Sequence, residues 1–361
     1  MSKVLIVTKI GKNYGALLQA YALKKVLENR KHEVSVLNYE LASTMETYRV
    51  IPKVNGARSI IHIIQSIPRV IKTRISVKRF LRFRNDYLSL SVPYKNYEEL
   101  VKKPPAAEVY ITGSDQVWNP KINFDKAYYL LFGGSDVVRA SYAASIGINT
   151  IPDSIREEFV QRLSNVQYKS VREIEGKHLL HSLGIEAEVN LDPTLLLSRK
   201  DYEAICRADV CVEPYVLLYL LIMPDDVKQY IINIRKLYPH CKIISIPGST
   251  YSKKIGDIER GDIGPEEFLG LIKNAEAVFT SSFHGTVFSI LYEKQFASYL
   301  PPKTGGRIRN LLSEFRLTDR IIETPEDIKT MVKPIDFMDA QKIRKQEIER
   351  ANEYLNTIFL S

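Results

Sequence analysis

Residues 280–286 contain a side chain that can transfer protons, the imidazole of His284. His284 lies among small polar residues that directly follow a short apolar run. We expect the apolar run to form a strand and a helix to follow, which leaves the polar residues at a strand-to-helix junction. Ligands of open α/β sheets bind outside the carboxyl ends of strands, where helix N-termini offer N–H groups. We therefore predict His284 as a catalytic acid or base, with Ser282, Phe283 and Gly285 in the substrate site. The alternative is a histidine that only caps a helix.

Residues 113–120 form a second polar segment, again after a predicted strand, and contain the single tryptophan of the chain. Asp115 can orient or deprotonate a hydroxyl group and is predicted to be catalytic. Trp118 can serve as an aromatic platform for a sugar ring, and Ser114 and Gln116 can hydrogen-bond a substrate. The alternative is a turn in which Asp115 caps the residues that follow it.

Two further segments combine a turn with ligand-binding side chains. Asn13, Tyr14 and Gly15 occupy the first strand-to-helix turn, where they can hydrogen-bond a ligand or allow its close approach, but they lack the full GxGxxG fingerprint of dinucleotide binding. Arg307 begins a predicted helix, where its guanidinium can hold a phosphate or carboxylate. An ordinary helix start remains the alternative for both. Asp192-Pro193-Thr194 is predicted to be a turn.

Short apolar runs rich in β-forming residues alternate along the chain with amphipathic helical stretches, and these elements must position the segments described above. This alternation is typical of parallel α/β sheets. The alternation occurs twice, and 361 residues suit two domains of roughly 150 residues each. We predict domains at 1–197 and 198–335, and a helix at 336–361 that packs back on the first domain. The predicted strands are 4–8, 34–39, 109–112, 139–142, 167–171, 189–191, 215–223, 242–246 and 277–280. The predicted helices are 17–29, 60–81, 226–237, 265–274, 286–292, 307–314 and 341–355.

The net charge of +9 is concentrated near the start of the chain. Residues 1–100 hold 18 Lys and Arg against 7 Asp and Glu, whereas the rest of the chain holds 33 against 35. Residues 69–84 alone contain seven cations and no acid, with isoleucines at helical spacing. Together with the apolar residues from 60 onward, this basic segment spans residues 60–84. It predicts that the protein contacts a membrane peripherally through anionic lipid, or binds phosphate. The alternative is a solvated helix face, and no nucleic-acid module or partner is indicated.

Composition excludes several classes of protein. The longest apolar run, 215–223, is far shorter than the ~20 residues of a membrane span, and the N-terminus has no signal layout. Three cysteines and six histidines show no metal-ligand spacing, so neither a disulfide scaffold nor a metal site is predicted. We expect a cytoplasmic protein.

The ordered set of motifs resembles the polysaccharide pyruvyl transferase family. The motifs are Asn13-Tyr14-Gly15, 113–120, 141–147, 171–173, Asp192-Pro193-Thr194 and Phe283-His284-Gly285. The resemblance implies an α/β, GT-B-like fold: two Rossmann-like domains whose parallel sheets face a cleft, with the acceptor side N-terminal and the donor side C-terminal. It also implies transfer of a pyruvyl group from phosphoenolpyruvate to a sugar of an envelope, capsular or exopolysaccharide precursor, as a ketal and without a cofactor. The acceptor is expected to be a lipid-linked oligosaccharide at the inner membrane face.

Three residues mark how the chain compares with that family. His284 takes the place of its active-site histidine, and Ser282 takes the place of an arginine that helps to hold the donor. Ala16 replaces a common acidic residue. Loss of a cation at position 282 is expected to weaken donor binding unless another one compensates, and Arg307 is the candidate. Two alternatives stay open: a GT-B glycosyltransferase that uses a nucleotide-sugar donor, and a non-catalytic glycan-binding protein.

Overall fold

The computed structural model describes residues 1–50, 67–122, 124–207, 213–248, 254–301 and 305–360. It divides into two compact units. The first comprises Met1–Tyr48, Arg84–Leu197 and Lys345–Ser361, and the second comprises Arg49–Phe83 and Ser198–Arg344. The chain therefore crosses between the units four times, and one of these crossings lies between Leu197 and Ser198.

The strands of the described residues all pair in parallel. In chain order they are β1 Lys3–Val7, β2 Glu33–Val36, β3 Val109–Thr112, β4 Val138–Ser141, β5 Ser170–Val171, β6 Glu188–Val189, β7 Tyr215–Tyr219, β8 Lys242–Ile246, β9 Ile258–Glu259, β10 Ala277–Thr280, β11 Gln295–Tyr299 and β12 Ile321–Ile322.

The helices that cover the sheets connect these strands. In chain order they are α1 Tyr14–Asn29, α2 Ala42–Glu46, α3 Ile67–Tyr87, α4 Tyr97–Lys102, α5 Asp153–Ser164, α6 Ile174–Ser182, α7 Arg199–Glu203, α8 Val227–Leu237, α9 Pro265–Asn274, α10 Phe283–Leu291, α11 Gly306–Glu314 and α12 Met338–Phe359. Among the described residues, none of these helices is both long and apolar enough to cross a bilayer.

The first unit contains a sheet in the order β2-β1-β3-β4, with β5 and β6 as a separate pair. Its central strands β1 and β3 are mostly Val, Ile and Leu and are buried on both faces, as parallel strands under helices require. Val7 pairs with Thr112, so the loops that follow β1 and β3 leave the sheet side by side. This register places the two N-terminal segments predicted to bind substrate at one sheet edge.

The second unit contains a sheet in the order β12-β11-β10-β7-β8-β9. Thr280 at the end of β10 pairs with Tyr219 of β7 on one side and with Ser298 of β11 on the other. The loop that leads to His284 therefore starts in the middle of the carboxyl edge of this sheet.

Most of the predicted elements are present, and two differences affect the site. Helix α10 begins at Phe283 rather than at 286, because Ser282 supplies the N-cap, so His284 lies in the first helical turn instead of in a loop. Strand β11 was not predicted, because Phe296 and Ala297 are its only apolar residues besides Tyr299 and give no clear pattern.

The basic helix α3 differs from the prediction in its surroundings. Residues 60–66 of the predicted helix lie outside the described residues, and α3 as far as Phe83 belongs to the second unit rather than to the N-terminal domain. The reason is charge pairing with residues 259–267 of that unit. The contacts are Arg69 Nε to Glu259 Oε1 at 3.3 Å, Lys72 Nζ to the Glu259 carbonyl at 2.6 Å, Arg79 Nε to Glu267 Oε1 at 3.4 Å and Arg82 Nη2 to Glu266 Oε2 at 2.5 Å.

Candidate functional site

The first candidate site is a cavity of about 320 Å³ at the carboxyl edge of the first sheet, which we call the edge cavity. It lies where the loops after β1 and β3 leave adjacent, paired strands. Its lining residues are Lys9, Gly11, Lys12, Asn13, Ala16, Ser43, Thr44, Thr47, Asp115, Ile122 and Tyr128. Volumes of about 300 Å³ and above are typical of small-molecule sites.

Asn13 and Asp115, predicted from two separate segments, both line the edge cavity. Asn13 also caps α1, since its Oδ1 accepts a hydrogen bond from the Ala16 N–H at 3.1 Å. Asp115 Oδ1 accepts the N–H of Gln116 at 2.6 Å, which fixes the carboxylate relative to the loop backbone. Tyr14 and Gly15 begin α1 and are not among the lining residues.

Two lysines of the edge cavity were missed by the sequence analysis. Lys9 Nζ donates a hydrogen bond to the Gln116 carbonyl at 2.8 Å, which joins the β1 loop to the loop of Asp115. Burial lowers the pKa of Lys9, although Asp115 opposes this effect, and burial also lowers the pKa of Lys12. Lysines in a loop are usually solvated, so the sequence alone does not distinguish Lys9 and Lys12 from other surface lysines. Only the pairing of β1 with β3, which places their loop beside that of Asp115, shows that they border a cavity.

The other residues predicted in the 113–120 segment hold the loop in place. Trp118 is fully buried and donates through Nε1 to the Tyr128 carbonyl at 3.2 Å, so it cannot be the predicted platform for a sugar ring. Ser114 is also buried, and its Oγ donates to Asp192 Oδ2 at 3.1 Å. Gln116 accepts a hydrogen bond from Asn119 through Oε1 at 2.9 Å.

A buried ionic network supports this loop. Arg172 Nη1 donates both to Asp192 Oδ2 and to the Ser114 carbonyl, each at 2.9 Å, and Arg172 Nε lies 3.0 Å from Glu173 Oε1. Ser145 Oγ donates to the same Glu173 oxygen at 2.7 Å. The predicted turn at Asp192 is present as an N-cap, but its carboxylate also anchors the loop that carries Asp115.

The second candidate site lies at the carboxyl edge of the second sheet, where the predicted residues Ser282, Phe283, His284 and Gly285 are contiguous. Ser282 Oγ accepts the N–H of Gly285 at 3.3 Å and caps α10. His284 is half-buried in the first turn, with its ring edge-on to Phe283 at 5.2 Å between centroids. The imidazole thus follows a strand end and is partly exposed, although its Nε2 atom is buried, and its backbone is fixed in the helix.

Gly285 and Tyr219 define how closely this turn packs. A Cβ at Gly285 would lie 2.3 Å from Thr280 Oγ1, so only glycine fits there. Thr280 Oγ1 donates to the Tyr219 carbonyl at 2.7 Å and accepts the Ser282 N–H at 3.0 Å. Burial raises the pKa of Tyr219, opposed by a hydrogen bond with Ser282, so its phenol stays neutral near pH 7.

A second cavity, of about 310 Å³, lies beyond the ends of β11 and β12 in the same unit. Its lining residues are Tyr299, Leu300, Pro301, Gly305, Gly306, Arg309, Ile322 and Glu323. The predicted cation Arg307 is the second residue of α11 and is not a lining residue, whereas Arg309, two residues further on, is one. Arg309 Nη2 lies 3.6 Å from Glu323 Oε1 in an exposed pair.

Solved structures align with most of the chain. A Listeria monocytogenes protein assigned as a UDP-N-acetylglucosamine 2-epimerase aligns with 99% of this chain and 95% of its own, at 12% identity and a TM-score of 0.54. The UDP-GlcNAc 2-epimerase of Methanocaldococcus jannaschii aligns over 95% and 98%, at 16% identity and a TM-score of 0.49. The spinosyn rhamnosyltransferase SpnG aligns over 100% of both chains, at 11% identity and a TM-score of 0.41. With its two parallel-stranded units, the protein has an α/β fold of the GT-B-like class.

The family to which the chain belongs is shown by its sequence. The model of the polysaccharide pyruvyl transferase family matches residues 13–300, a span that includes Asn13, Asp115 and His284. The chain therefore belongs to the polysaccharide pyruvyl transferase family, which is a family of transferases. No curated protein matches the chain significantly in sequence.

Proposed function

We propose that the protein transfers a pyruvyl group from phosphoenolpyruvate to two hydroxyls of a sugar as a ketal, with His284 as the general acid. The observation that carries the proposal is the position of His284 in the first turn of α10, directly after the buried end of β10. Ser282 and Gly285 fix that turn by a cap and by close packing. The family match supports the reaction class.

The chemistry requires one proton donor and two acceptor hydroxyls. His284 gives a proton to the methylene carbon of phosphoenolpyruvate, and positive charge develops on the carbon that bears the phosphate. A sugar hydroxyl attacks this carbon and releases its proton, and the bond to the phosphate oxygen breaks. The second hydroxyl then attacks and releases its proton, which closes the ketal. One released proton restores His284 and the other leaves with phosphate. A positioned acid of this kind contributes roughly 10²- to 10⁴-fold in rate.

The donor is a multiply charged anion and needs cations in the second unit. Ser282 cannot supply the charge that an arginine supplies in other members of the family. Arg307 remains a candidate, and Arg309 is a second one because it borders the cavity beyond β11. Its exposed pair with Glu323 is weak enough for a donor phosphate to displace.

The acceptor is assigned to the first unit, where Asp115 orients or deprotonates a sugar hydroxyl in the edge cavity. We further propose that this acceptor is linked to a lipid at a membrane face. Residues Ile71, Arg74, Ile75 and Lys78, the exposed face of α3, combine apolar and cationic side chains in the way that anionic membrane surfaces attract. The paired cations Arg69, Lys72, Arg79 and Arg82 are excluded from this role.

Calorimetric titration of the full chain tests the proposal against a nucleotide-sugar transferase. Phosphoenolpyruvate is expected to bind, and UDP-N-acetylglucosamine is not. Phosphate release is then expected only when phosphoenolpyruvate and a methyl glycoside with two neighbouring or 4,6-related hydroxyls are both present. Binding of the UDP-sugar with no binding of phosphoenolpyruvate contradicts the proposal.

A further inference from the structure

The edge cavity has a positive charge that the proposed transfer chemistry does not use. Among the described residues that line it, Lys9 and Lys12 are cationic and only Asp115 is anionic. Both lysines precede residue 13, where the family match begins. The polar remainder of the lining, which includes Ser43 and Thr44, suits a ligand that also has hydroxyl groups.

Lys9 is held in a position to bind a ligand. An ammonium group has three N–H donors, and the Gln116 carbonyl accepts one of them at 2.8 Å. This bond anchors the side chain against the loop of Asp115, so little side-chain entropy would be lost when a ligand binds the other donors. Lys9 therefore has the geometry of a preorganised binding group.

Lys12 is fixed through its backbone. Its N–H donates to Thr47 Oγ1 at 2.8 Å, and Thr47 Oγ1 donates in turn to the Thr44 carbonyl at 2.6 Å. A Cβ at the preceding Gly11 would lie 3.1 Å from the same Thr47 oxygen, so the loop and the segment after β2 are closely packed. This packing holds Lys12 at the rim of the cavity.

The cost of burying these charges indicates a ligand of opposite charge. Burial disfavours a charged ammonium, and accordingly the pKa values of Lys9 and Lys12 are lowered. The adjacent helix α1 has no acidic residue in its first turn to offset this, and its N-terminal dipole adds further positive potential. An anion in the cavity would offset this cost of burial by favouring the charged form of both lysines.

We propose that the edge cavity is an oxyanion subsite in which Lys9 and Lys12 bind a carboxylate or phosphate group of the acceptor. The identification of the ligand as the acceptor rests on the proposed function, whereas anion binding in the cavity does not. A ligand of this class carries the oxyanion next to a hydroxyl group that faces Asp115. An acidic sugar and a sugar diphosphate both meet this description.

Titration calorimetry on the full chain tests the subsite with glucuronate, inorganic pyrophosphate and phosphoenolpyruvate, and with glucose as a neutral control. At least one of glucuronate and pyrophosphate is expected to bind, and the one that binds identifies the anion as a carboxylate or a diphosphate. Lys9→Gln/Lys12→Gln is expected to weaken that binding at least tenfold and to leave phosphoenolpyruvate binding unchanged. The matched control is Lys3→Gln/Lys31→Gln, because Lys3 lies exposed at the amino end of the same strand β1.

Three results would overturn the proposal. They are no binding of either anion, equal binding by the two double variants, and loss of phosphoenolpyruvate binding in Lys9→Gln/Lys12→Gln, which would assign the lysines to the donor. Thermal melting verifies that each variant is folded, and neutralising buried charge is expected to leave the melting temperature equal or higher. The readout is binding, so a protein without pyruvyl transfer activity can still pass this test.

Discussion

Arg172 and Asp192 form a buried ion pair with 2.9 Å between Nη1 and Oδ2, and both also bond Ser114, the residue before Asp115. Asp192→Asn leaves the guanidinium with less charge compensation in a site that water does not reach. Breaking one partner of a buried pair costs about 3 kcal/mol or more, and we expect a loss of that size in the free energy of unfolding. Urea titration measures it, with the exposed Asp86→Asn as control, for which a change within about 0.5 kcal/mol is expected. Equal effects of the two substitutions would show that the pair does not stabilise the loop.

Gly285→Ala is expected to lower both stability and activity. The new Cβ would lie 2.3 Å from Thr280 Oγ1, which cannot retreat because it bonds the Tyr219 carbonyl and the Ser282 N–H. Overpacking of this kind costs about 1–3 kcal/mol and moves the turn that carries His284. Gly176→Ala is the matched control, since a Cβ there would meet its nearest atoms at 3.6 Å, an ordinary contact distance, and alanine favours helix α6. If Gly285→Ala melts and reacts like Gly176→Ala, the close approach does not define the site.

The exposed face of α3 is expected to mediate binding to anionic vesicles. Arg74→Glu/Lys78→Glu should weaken binding to phosphatidylglycerol vesicles, because each cation near such a surface contributes about 1 kcal/mol. Co-sedimentation measures the bound fraction. Lys95→Glu/Lys236→Glu makes the same change in net charge at exposed positions elsewhere and should bind like the unmodified protein. If both double variants lose binding equally, the attraction depends on net charge and not on this face.

Glucuronate affinity, if the acid binds in the edge cavity, is expected to fall as the pH rises above neutrality. The carboxylate binds the protonated lysines, and burial lowers the pKa values of Lys9 and Lys12 below the ordinary 10.5. Their charge is therefore lost at a lower pH than that of an exposed lysine, while the carboxylate of the ligand does not titrate in this range. Titrations from pH 7 up to the ordinary lysine pKa of 10.5 should show this fall, and Lys9→Gln/Lys12→Gln should show weak binding that does not depend on pH. A constant affinity of the unmodified protein over that range contradicts the role of the lysines.

The sequence predicts the strands that carry the sites because their chemistry is local. Val109–Thr112 and Ala277–Thr280 are apolar runs with polar residues after them, and the structure gives them these bounds. Strand β11 has too few apolar residues for such a pattern, although its pairing with β10 is what fixes the second sheet edge. Pairing between distant strands is a tertiary property and leaves no mark on the local sequence.

The candidate residues divide in the same way. His284 and Asp115 were predicted because a polar group after a strand is a local signal. Trp118 was misjudged because only the folded chain shows that its ring is buried against Tyr129 and that its N–H donates to the Tyr128 carbonyl. Lys9 and Lys12 were overlooked because their role depends on a loop that begins about a hundred residues later.

The charge of the N-terminal region shows the limit of composition most directly. Seven cations in 69–84 predict a contact with an external anion, but four of them contact backbone or side-chain oxygens of residues 259–267. The acidic residues that compensate them are nearly two hundred positions away in sequence. A local count of charge therefore overstates the surface that is available to a partner, and α3 keeps only its exposed face.

The rate of phosphate release from phosphoenolpyruvate in the presence of a panel of methyl hexosides and N-acetylhexosaminides tests the central claim most directly. We predict release that requires both substrates, falls at least about 100-fold in His284→Asn and is unchanged in His240→Asn, which alters an exposed histidine of the same unit. The methyl glycoside that has served as acceptor is expected to carry the pyruvyl group as a ketal. An undiminished rate in His284→Asn, with the same ketal formed, would contradict the account.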